Sequence, residues 1–390
     1  MLRKLFTVLA VTSLLTSLIT SYANAALDDG YPEGAAAPGR TCSADAVGQK
    51  ELSSFSGKNL SCILIFGIAK WWIDGDPLPA AETPAAKPTA SAGPAPSAGP
   101  TAPASAGNQF VLEKGVKITL KKGSKLMKVG DVRPAQVLIP GTLKAKVAAP
   151  LLVALPGFTA TPNDLLALVD LTAEAYKRGV VLALPSGSKN SGGLPFWNAT
   201  GSCCDFEKSG VDDSKYLMDL VKQISAKVSI DSKRIYFFGH SNGGFMSYRM
   251  ACKYPDRIAA IASLAGASYF KTTDCGAKSP VSVLQVHGTK DGTILYDGGQ
   301  ILGTSYPGAV ASASQWATFN QCTQSAVARS TKLDLEPNIA GDETSIKAWT
   351  NCQNSSEVEL WTMENATHIP TLVSTFATKI WEFFAAHPKP

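Results

Sequence analysis

A serine framed by glycines, in the run Gly239-His240-Ser241-Asn242-Gly243, carries the clearest chemical signal in this 390-residue chain. The pattern G-x-S-x-G gains a mechanism when it joins a strand to a helix, because the sharp turn then exposes the serine hydroxyl. Here Arg234-Ile235-Tyr236-Phe237-Phe238 reads as a short buried strand, and Phe245 to Ala251 has helix-forming composition with Gly243 and Gly244 at its start. Five-letter matches also arise by chance in surface loops, and the flanking strand and helix argue against that here. A serine hydroxyl is a weak nucleophile until a base takes its proton. Four histidines are available as that base, His240, His287, His368 and His387. His240 adjoins the serine, so its side chain should point away from it. His387 lies in the last four residues, where chains tend to be mobile. His287 closes the apolar strand Val281 to Val286 and reads as a structural residue at the strand end. That leaves His368, which follows the strand-like run Val358 to Met363 and precedes a final amphipathic helix beginning near Thr371. Asp291, in the loop Gly288-Thr289-Lys290-Asp291-Gly292, sits just after a strand, where an acid partner is expected.

The order Ser241, Asp291, His368 is that of α/β-hydrolases and differs from those of the chymotrypsin and subtilisin folds. In such a triad His368 takes the proton from Ser241 and later returns it to the leaving alcohol, while Asp291 fixes the imidazole tautomer. The developing oxyanion needs fixed donors. The backbone N–H of Asn242 is one by the geometry of the elbow, and the N–H of Phe158 is the candidate for the second. Phe158 follows the buried-strand run Pro150 to Leu155 through Pro156-Gly157; an ordinary loop there is the plainer alternative. No metal and no cofactor is called for.

The elements that must position these residues read as α/β. Apolar strands, among them Val180 to Pro185, alternate with helical segments such as Asp164 to Arg178 and Asp213 to Lys227. That is the pattern of a mostly parallel central sheet with helices on both faces, filling a catalytic domain over residues 108–390. Asp212 and Asp213 resemble a helix cap more than catalytic carboxylates. Ahead of this domain, residues 77–107 are dominated by Ala, Pro, Ser, Gly and Thr, with Ser91-Ala92-Gly93-Pro94 repeated at Ser97-Ala98-Gly99-Pro100. Such a composition buries no core and reads as a linker. Residues 26–76 form a small cysteine-containing module that needs a crosslink to hold a core, in which Trp71 and Trp72 serve better than as a sugar-binding face. Residues 1–25 read as a signal peptide: Arg3 and Lys4, an apolar run from Leu5 to about Ile19, then Ala23-Asn24-Ala25 with cleavage before Ala26. The run is shorter than the roughly 20 residues of a spanning helix, so the mature chain is expected to be secreted, extracellular or periplasmic, without a membrane anchor.

Eight cysteines in an exported chain argue for disulfides. The expected pairs are Cys42 with Cys62, Cys322 with Cys352, and Cys203 and Cys204 with Cys252 and Cys275. Adjacent cysteines do not suit zinc. The net charge of +5, which falls by two when Arg3 and Lys4 are removed, is too modest to imply nucleic acid. The lysines at 114, 117, 121, 122, 125 and 128 read as a solvated hairpin.

Taken together, Leu155-Pro156-Gly157, Phe196-Trp197-Asn198-Ala199-Thr200 followed by Cys203-Cys204, Gly210-Val211-Asp212-Asp213, Gly239 to Gly244, and His287 to Gly292 resemble the secreted polyhydroxybutyrate depolymerase and feruloyl esterase type of α/β-hydrolase over residues 110–388. Relatives of that type commonly carry Leu-His-Gly where this chain has Leu155-Pro156-Gly157, and a Gly-rich His-Thr-Trp-Pro where it has Asn365 to Pro370. The resemblance implies a secreted serine esterase forming an acyl-enzyme on Ser241, with feruloyl or acetyl esters of plant polysaccharide, or polyhydroxyalkanoate, as substrate. Trp197 and Asn198, on a loop pinned by the adjacent cysteines, are candidates for lining the acyl pocket, with packing of the loop by Trp197 as the alternative. A linker-borne module favours a polymeric substrate, since tethering raises the effective concentration at a surface. Two other readings remain open: a serine peptidase of prolyl-oligopeptidase type, for which the chain lacks a propeller-length domain, and a non-catalytic surface-binding protein on a hydrolase scaffold, which a full Ser, Asp and His set disfavours.

Overall fold

The computed structural model describes residues 50–52, 59–65, 68–73, 109–111 and 117–390 apart from 132 and 145, with side chains from Ile118 onward. The expected signal peptide, the 77–107 linker, the Cys42–Cys62 bond and the side chains of Trp71, Trp72, Lys114 and Lys117 lie outside the described residues. The chain divides into two units, Met1–Lys87 and Pro88–Pro390. In the first, Lys50–Leu52, Asn59–Ile65 and Ile68–Ile73 form a three-stranded antiparallel sheet.

The second unit is built on a ten-stranded sheet among the described residues. Its strands are β1 (Lys125–Val129), β2 (Ala135–Ile139), β3 (Ala149–Leu155), β4 (Val181–Leu184), β5 (Ile230–His240), β6 (Ala260–Leu264), β7 (Ser282–Gly288), β8 (Val327–Ala328), β9 (Thr344–Trp349) and β10 (Val358–Met363). They lie in the order β8-β9-β10-β7-β6-β5-β3-β4-β2-β1, and the run from β10 to β4 is parallel with antiparallel strands at both edges. The helices are α1 (Pro162–Leu168), α2 (Leu171–Arg178), α3 (Asp213–Lys227), α4 (Asn242–Lys253), α5 (Thr272–Cys275), α6 (Ala309–Phe319) and α7 (Phe376–Ala386).

The sequence dictates this layering through the two-residue period of a strand. In β3, Leu151, Val153 and Leu155 join one core with side chains of α3, α4 and α6, while Leu152 and Ala154 join a second core with α1, α2 and α7. β5 does the same, with Ile235 and Phe237 on one face and Tyr236 and Phe238 on the other. Strands apolar on both faces can only sit between two helical layers, which is why the central runs are continuous apolar stretches.

Several expectations are revised. The segment Asp164 to Arg178 is two helices, because Thr161 and Asp164 form a capping box that starts α1, and Asp170 accepts from the Thr172 N–H to start α2. The final helix begins at Phe376, not near Thr371. His387 is buried, its Nδ1 2.7 Å from the Phe383 carbonyl and its Nε2 3.3 Å from Glu357, so this end of the chain is tied down. Cys322 bonds Cys352 as expected, but Cys203 bonds Cys204 and Cys252 bonds Cys275. The last turn of α4 and the end of α5 bring Cys252 and Cys275 to a Cα separation of 5.0 Å, within ordinary disulfide reach. Cys203 and Cys204 are held instead in a turn where Ala199 and Thr200 donate to the Cys203 carbonyl and Cys204 donates to that of Trp197. Asp212 caps α3 as read, accepting from Lys215.

Candidate active site

The site is built where the parallel strands end, at the carboxyl edge of the sheet, the usual place for ligands in open α/β sheets. β5 delivers Ser241 into a turn with φ 54° and ψ −121°, and α4 starts at the next residue. A side chain is tolerated there only because its neighbours have none. A Cβ on Gly239 would overlap the Gly243 backbone, and one on Gly243 would overlap the Leu155 carbonyl at the end of β3. The strain raises the serine hydroxyl above the sheet.

From the strand ends two and three places away in the sheet the other groups arrive. Asp291 lies on the loop after β7 and His368 on the loop after β10. Ser241 Oγ is 2.9 Å from His368 Nε2, and His368 Nδ1 is 2.7 Å from Asp291 Oδ2. A carboxylate facing Nδ1 places the ring proton there and leaves Nε2 free to accept from the serine hydroxyl. Asp291 is itself fixed, since its Oδ1 accepts from the backbone N–H groups of Thr293 and Ile294, both at 2.8 Å. Burial alone would raise its carboxyl, but electrostatic attraction to the His368 ring and the hydrogen bonds from His287 and His368 outweigh that and hold it well below the usual carboxylate range. It is therefore ionised across the neutral range. An elbow serine at the carboxyl edge of a parallel sheet, hydrogen-bonded to a histidine that is in turn bonded to an acid, decides the fold. The chain has the α/β-hydrolase fold.

Residues 184–331 match the family described as Phospholipase/Carboxylesterase. Feruloyl esterase B of Piromyces equi is 28% identical over 244 residues, which make up 60% of this chain and 42% of that protein. A bifunctional acetylxylan esterase/xylanase of Neocallimastix patriciarum is 25% identical over 254 residues, 65% of this chain and 33% of that protein. The chain thus spans less than half the length of these relatives. An acetyl xylan esterase structure from Aspergillus awamori aligns with 67% of this chain and 99% of its own, at 19% identity and a TM-score of 0.49.

Around the triad, the structure brings Phe158 to the elbow. At Gly157 a Cβ would lie 3.4 Å from both Ser241 Cβ and His240 Nδ1, so the Pro156-Gly157-Phe158 loop runs directly against the serine. The Asn242 N–H belongs to the first turn of α4, where the helix end favours negative charge. Trp197 is buried, whereas Asn198 beside it is half-buried. Trp197 is 1% exposed, with its indole N–H donating to the Pro156 carbonyl at 3.0 Å. The Asn198 backbone N–H donates to Asp213, and its side chain donates to the Val211 carbonyl and accepts from Arg249. Burial and the hydrogen bond to Pro156 place Trp197 in the packing of its loop. Among the described residues no group of three or more His, Cys, Asp or Glu side chains is placed to hold a metal ion.

Three residues near the site have roles that sequence reasoning missed. The Asn242 side chain is fully buried and grips Trp197, its Oδ1 accepting from the Trp197 N–H at 2.7 Å and its Nδ2 donating to the Trp197 carbonyl at 3.0 Å. His240 reaches the main chain of the candidate base, its Nε2 2.9 Å from the His368 carbonyl, and burial with the nearby charge of His368 pushes its pKa down to about 3. Asp213, read as part of a cap, is buried under the Trp197 loop, where it accepts from Arg133 at 2.6 Å and from Ser188 and Asn198. Each depends on partners distant in sequence, and only the histidine's place inside the elbow offered a hint.

Proposed function

We propose that this hydrolase is an exported serine esterase that cleaves carboxylic esters through an acyl-enzyme on Ser241, acting on esters borne by a polymer: feruloyl or acetyl esters of plant polysaccharide, or a polyhydroxyalkanoate. The observation that carries this reading is the continuous hydrogen-bonded run from Asp291 through His368 to Ser241. In the first step His368 Nε2 takes the hydroxyl proton as Ser241 Oγ attacks the ester carbonyl. The N–H groups of Asn242 and Phe158 stabilise the oxyanion, and the imidazolium then protonates the departing alkoxide. Water attacks the acyl-enzyme by the same route, again with His368 as base. The names of the relatives support an ester substrate. The distribution of apolar surface supports a bulky one. Leu194, Phe206, Phe270, Leu295 and Leu302 are exposed, and all sit on loops following the carboxyl ends of β4, β6 and β7, the edge that carries Ser241; Val147, Val310 and Val327 do not. Phe206 also meets the Phe158 ring edge-on at 5.3 Å.

The test compares the mature protein with Ser241→Ala on p-nitrophenyl acetate and butyrate, methyl ferulate, a polyhydroxybutyrate suspension and a peptide anilide. Ester turnover that disappears in the variant supports the reading, and the relative rates choose the acyl group. Turnover of the anilide in preference to every ester points to a peptidase. Absence of any Ser241-dependent turnover sinks the esterase reading.

A further inference from the structure

Behind Asp291 lies a second hydrogen-bonded run that the triad does not require. Tyr248 on α4 and Gln285 and His287 on β7 are 0%, 0% and 1% exposed. Gln285 and His287 are two apart on a strand and so share a face, while Asp291 follows four residues later in the loop. The Gln285 amide lies 2.8 Å from the Gly266 carbonyl through Nε2, and its Oε1 lies 2.8 Å from the Tyr248 hydroxyl. A carbonyl only accepts, so the Gly266 contact fixes which end of the amide is nitrogen. The same Nε2 lies 3.0 Å from His287 Nδ1. That ring nitrogen therefore accepts, and the single imidazole proton of His287 is on Nε2. There it faces two acceptors, the Ile294 carbonyl at 2.7 Å and Asp291 Oδ2 at 3.2 Å. Both ends of the ring demand the same tautomer, and a second proton on Nδ1 would collide with the Gln285 N–H.

We infer that Tyr248, Gln285 and His287 form a one-way series of donors ending on Asp291, and that His287 is a positioning residue for the acid of the triad. The inference rests on the esterase reading of Ser241, His368 and Asp291. Its physical content is that Asp291 Oδ2 faces two N–H donors, His368 Nδ1 at 2.7 Å and, through a proton shared with the Ile294 carbonyl, His287 Nε2 at 3.2 Å. The second donor holds the carboxylate against rotation and draws off part of its charge. Asp291 thereby orients His368 without over-stabilising the imidazolium, which must give its proton up to the leaving group. The titratable groups nearest the Asp291–His368 pair are His240 from β5, whose ring is 5.0 Å from that of His368, His287 from β7, and Tyr296 and Tyr306 from the segment after Asp291. Burial keeps His240 neutral and raises both tyrosines. The charge on the pair is thus left to Asp291 and His368.

The test uses His287→Leu, which removes the donor, and His287→Gln, whose amide N–H has similar reach. In the Leu variant kcat/KM should fall about tenfold, the scale of one lost hydrogen bond to a charged group. The acidic limb of its pH profile should also move upward, because a carboxylate without its second donor favours the protonated form of the base it faces. The Gln variant should recover most of both changes. A Leu variant whose activity falls with the acidic limb unmoved, or a Gln variant no better than Leu, overturns the proposal. If His287→Leu does not fold, the wild-type protein decides. With histidine labelled by 15N, the ring nitrogens of His287 should report the tautomer protonated on Nε2, with Nδ1 as the acceptor. Protonation on Nδ1 contradicts the assignment. This last arm needs no turnover, so a protein that cleaves no ester refutes the esterase reading while leaving His287 to be judged separately.

Discussion

The grip of Asn242 on Trp197 should be separable from general packing by two substitutions. Asn242→Ala removes a fully buried amide and strands the Trp197 N–H, which has the Asn242 oxygen as its partner at 2.7 Å. The Trp197 carbonyl fares better, since it also accepts from the Cys204 N–H at 3.2 Å. One orphaned buried group costs about 1–3 kcal/mol, and a weakened second raises the expected loss to about 2–4 kcal/mol. Asn242→Asp keeps the shape and the first acceptor but turns an oxygen toward the Trp197 carbonyl and the Cys203 sulfur, which the wild-type Nδ2 contacts at 3.0 and 3.4 Å. Ionised, that oxygen is repelled; protonated, it can donate. The folded-state pKa of the new carboxyl is therefore raised above its unfolded value of about 3.9. Above that value the unfolded chain binds fewer protons than the folded one, so the deficit relative to wild type grows with rising pH, at up to about 1.4 kcal/mol per unit, until the folded value is passed. Urea unfolding of wild type and both variants at a series of pH values, followed by tryptophan fluorescence, reads this directly. The Ala deficit should be constant and the Asp deficit should widen from about pH 4 upward. Parallel curves for all three proteins, or an Ala deficit below about 0.5 kcal/mol, would refute the reasoning. Activity should fall with stability, because the Trp197 indole N–H holds Pro156 in the loop that carries Phe158.

His240 makes a prediction about acid. Its folded pKa of about 3 lies below the unfolded value of roughly 6.5, so the unfolded chain takes up the extra proton first, and stability present above pH 6.5 is lost as pH falls toward 3. His240→Gln removes this titration, and its amide can still donate to the His368 carbonyl. Its unfolding free energy should therefore decline less than that of wild type between about pH 6 and pH 4, and identical declines would count against the assignment. Asp213→Asn tests the buried pair under the Trp197 loop, where the Arg133 guanidinium also lies 3.7 Å over the Tyr216 ring. Leaving Arg133 without its counter-ion should destabilise by about 3–5 kcal/mol in chemical denaturation, and a loss under about 1 kcal/mol would show the pair to be solvated.

The triad was legible because each member sits next to a local signal: an elbow with glycines at both ends for Ser241, and loops just after strong apolar strands for Asp291 and His368. The parallel sheet was legible for the same reason, since strands apolar on both faces admit little else. Trp197 was not, because nothing within its own loop says that Asn242, 45 residues away, and Pro156, 41 residues away, claim its polar groups. The break between α1 and α2 was missed because Asp164 and Asp170 look like ordinary helical acids until their roles as capping groups are seen. The disulfide pairing of Cys203, Cys204, Cys252 and Cys275 could not follow from spacing alone. Adjacent cysteines look as though they must reach elsewhere, and only the turn around Trp197 turns them to each other.

The central claim is that Ser241, activated by His368 and Asp291, becomes covalently acylated. The most direct measurement is intact-mass spectrometry with peptide mapping after brief mixing with a p-nitrophenyl ester, and in parallel with an organophosphate ester that forms a stable adduct. One acyl or phosphoryl group on Ser241 in the wild-type protein, and none in Ser241→Ala, is the expected result; a modification mapped to another residue, or ester turnover that persists unchanged in Ser241→Ala, would contradict it.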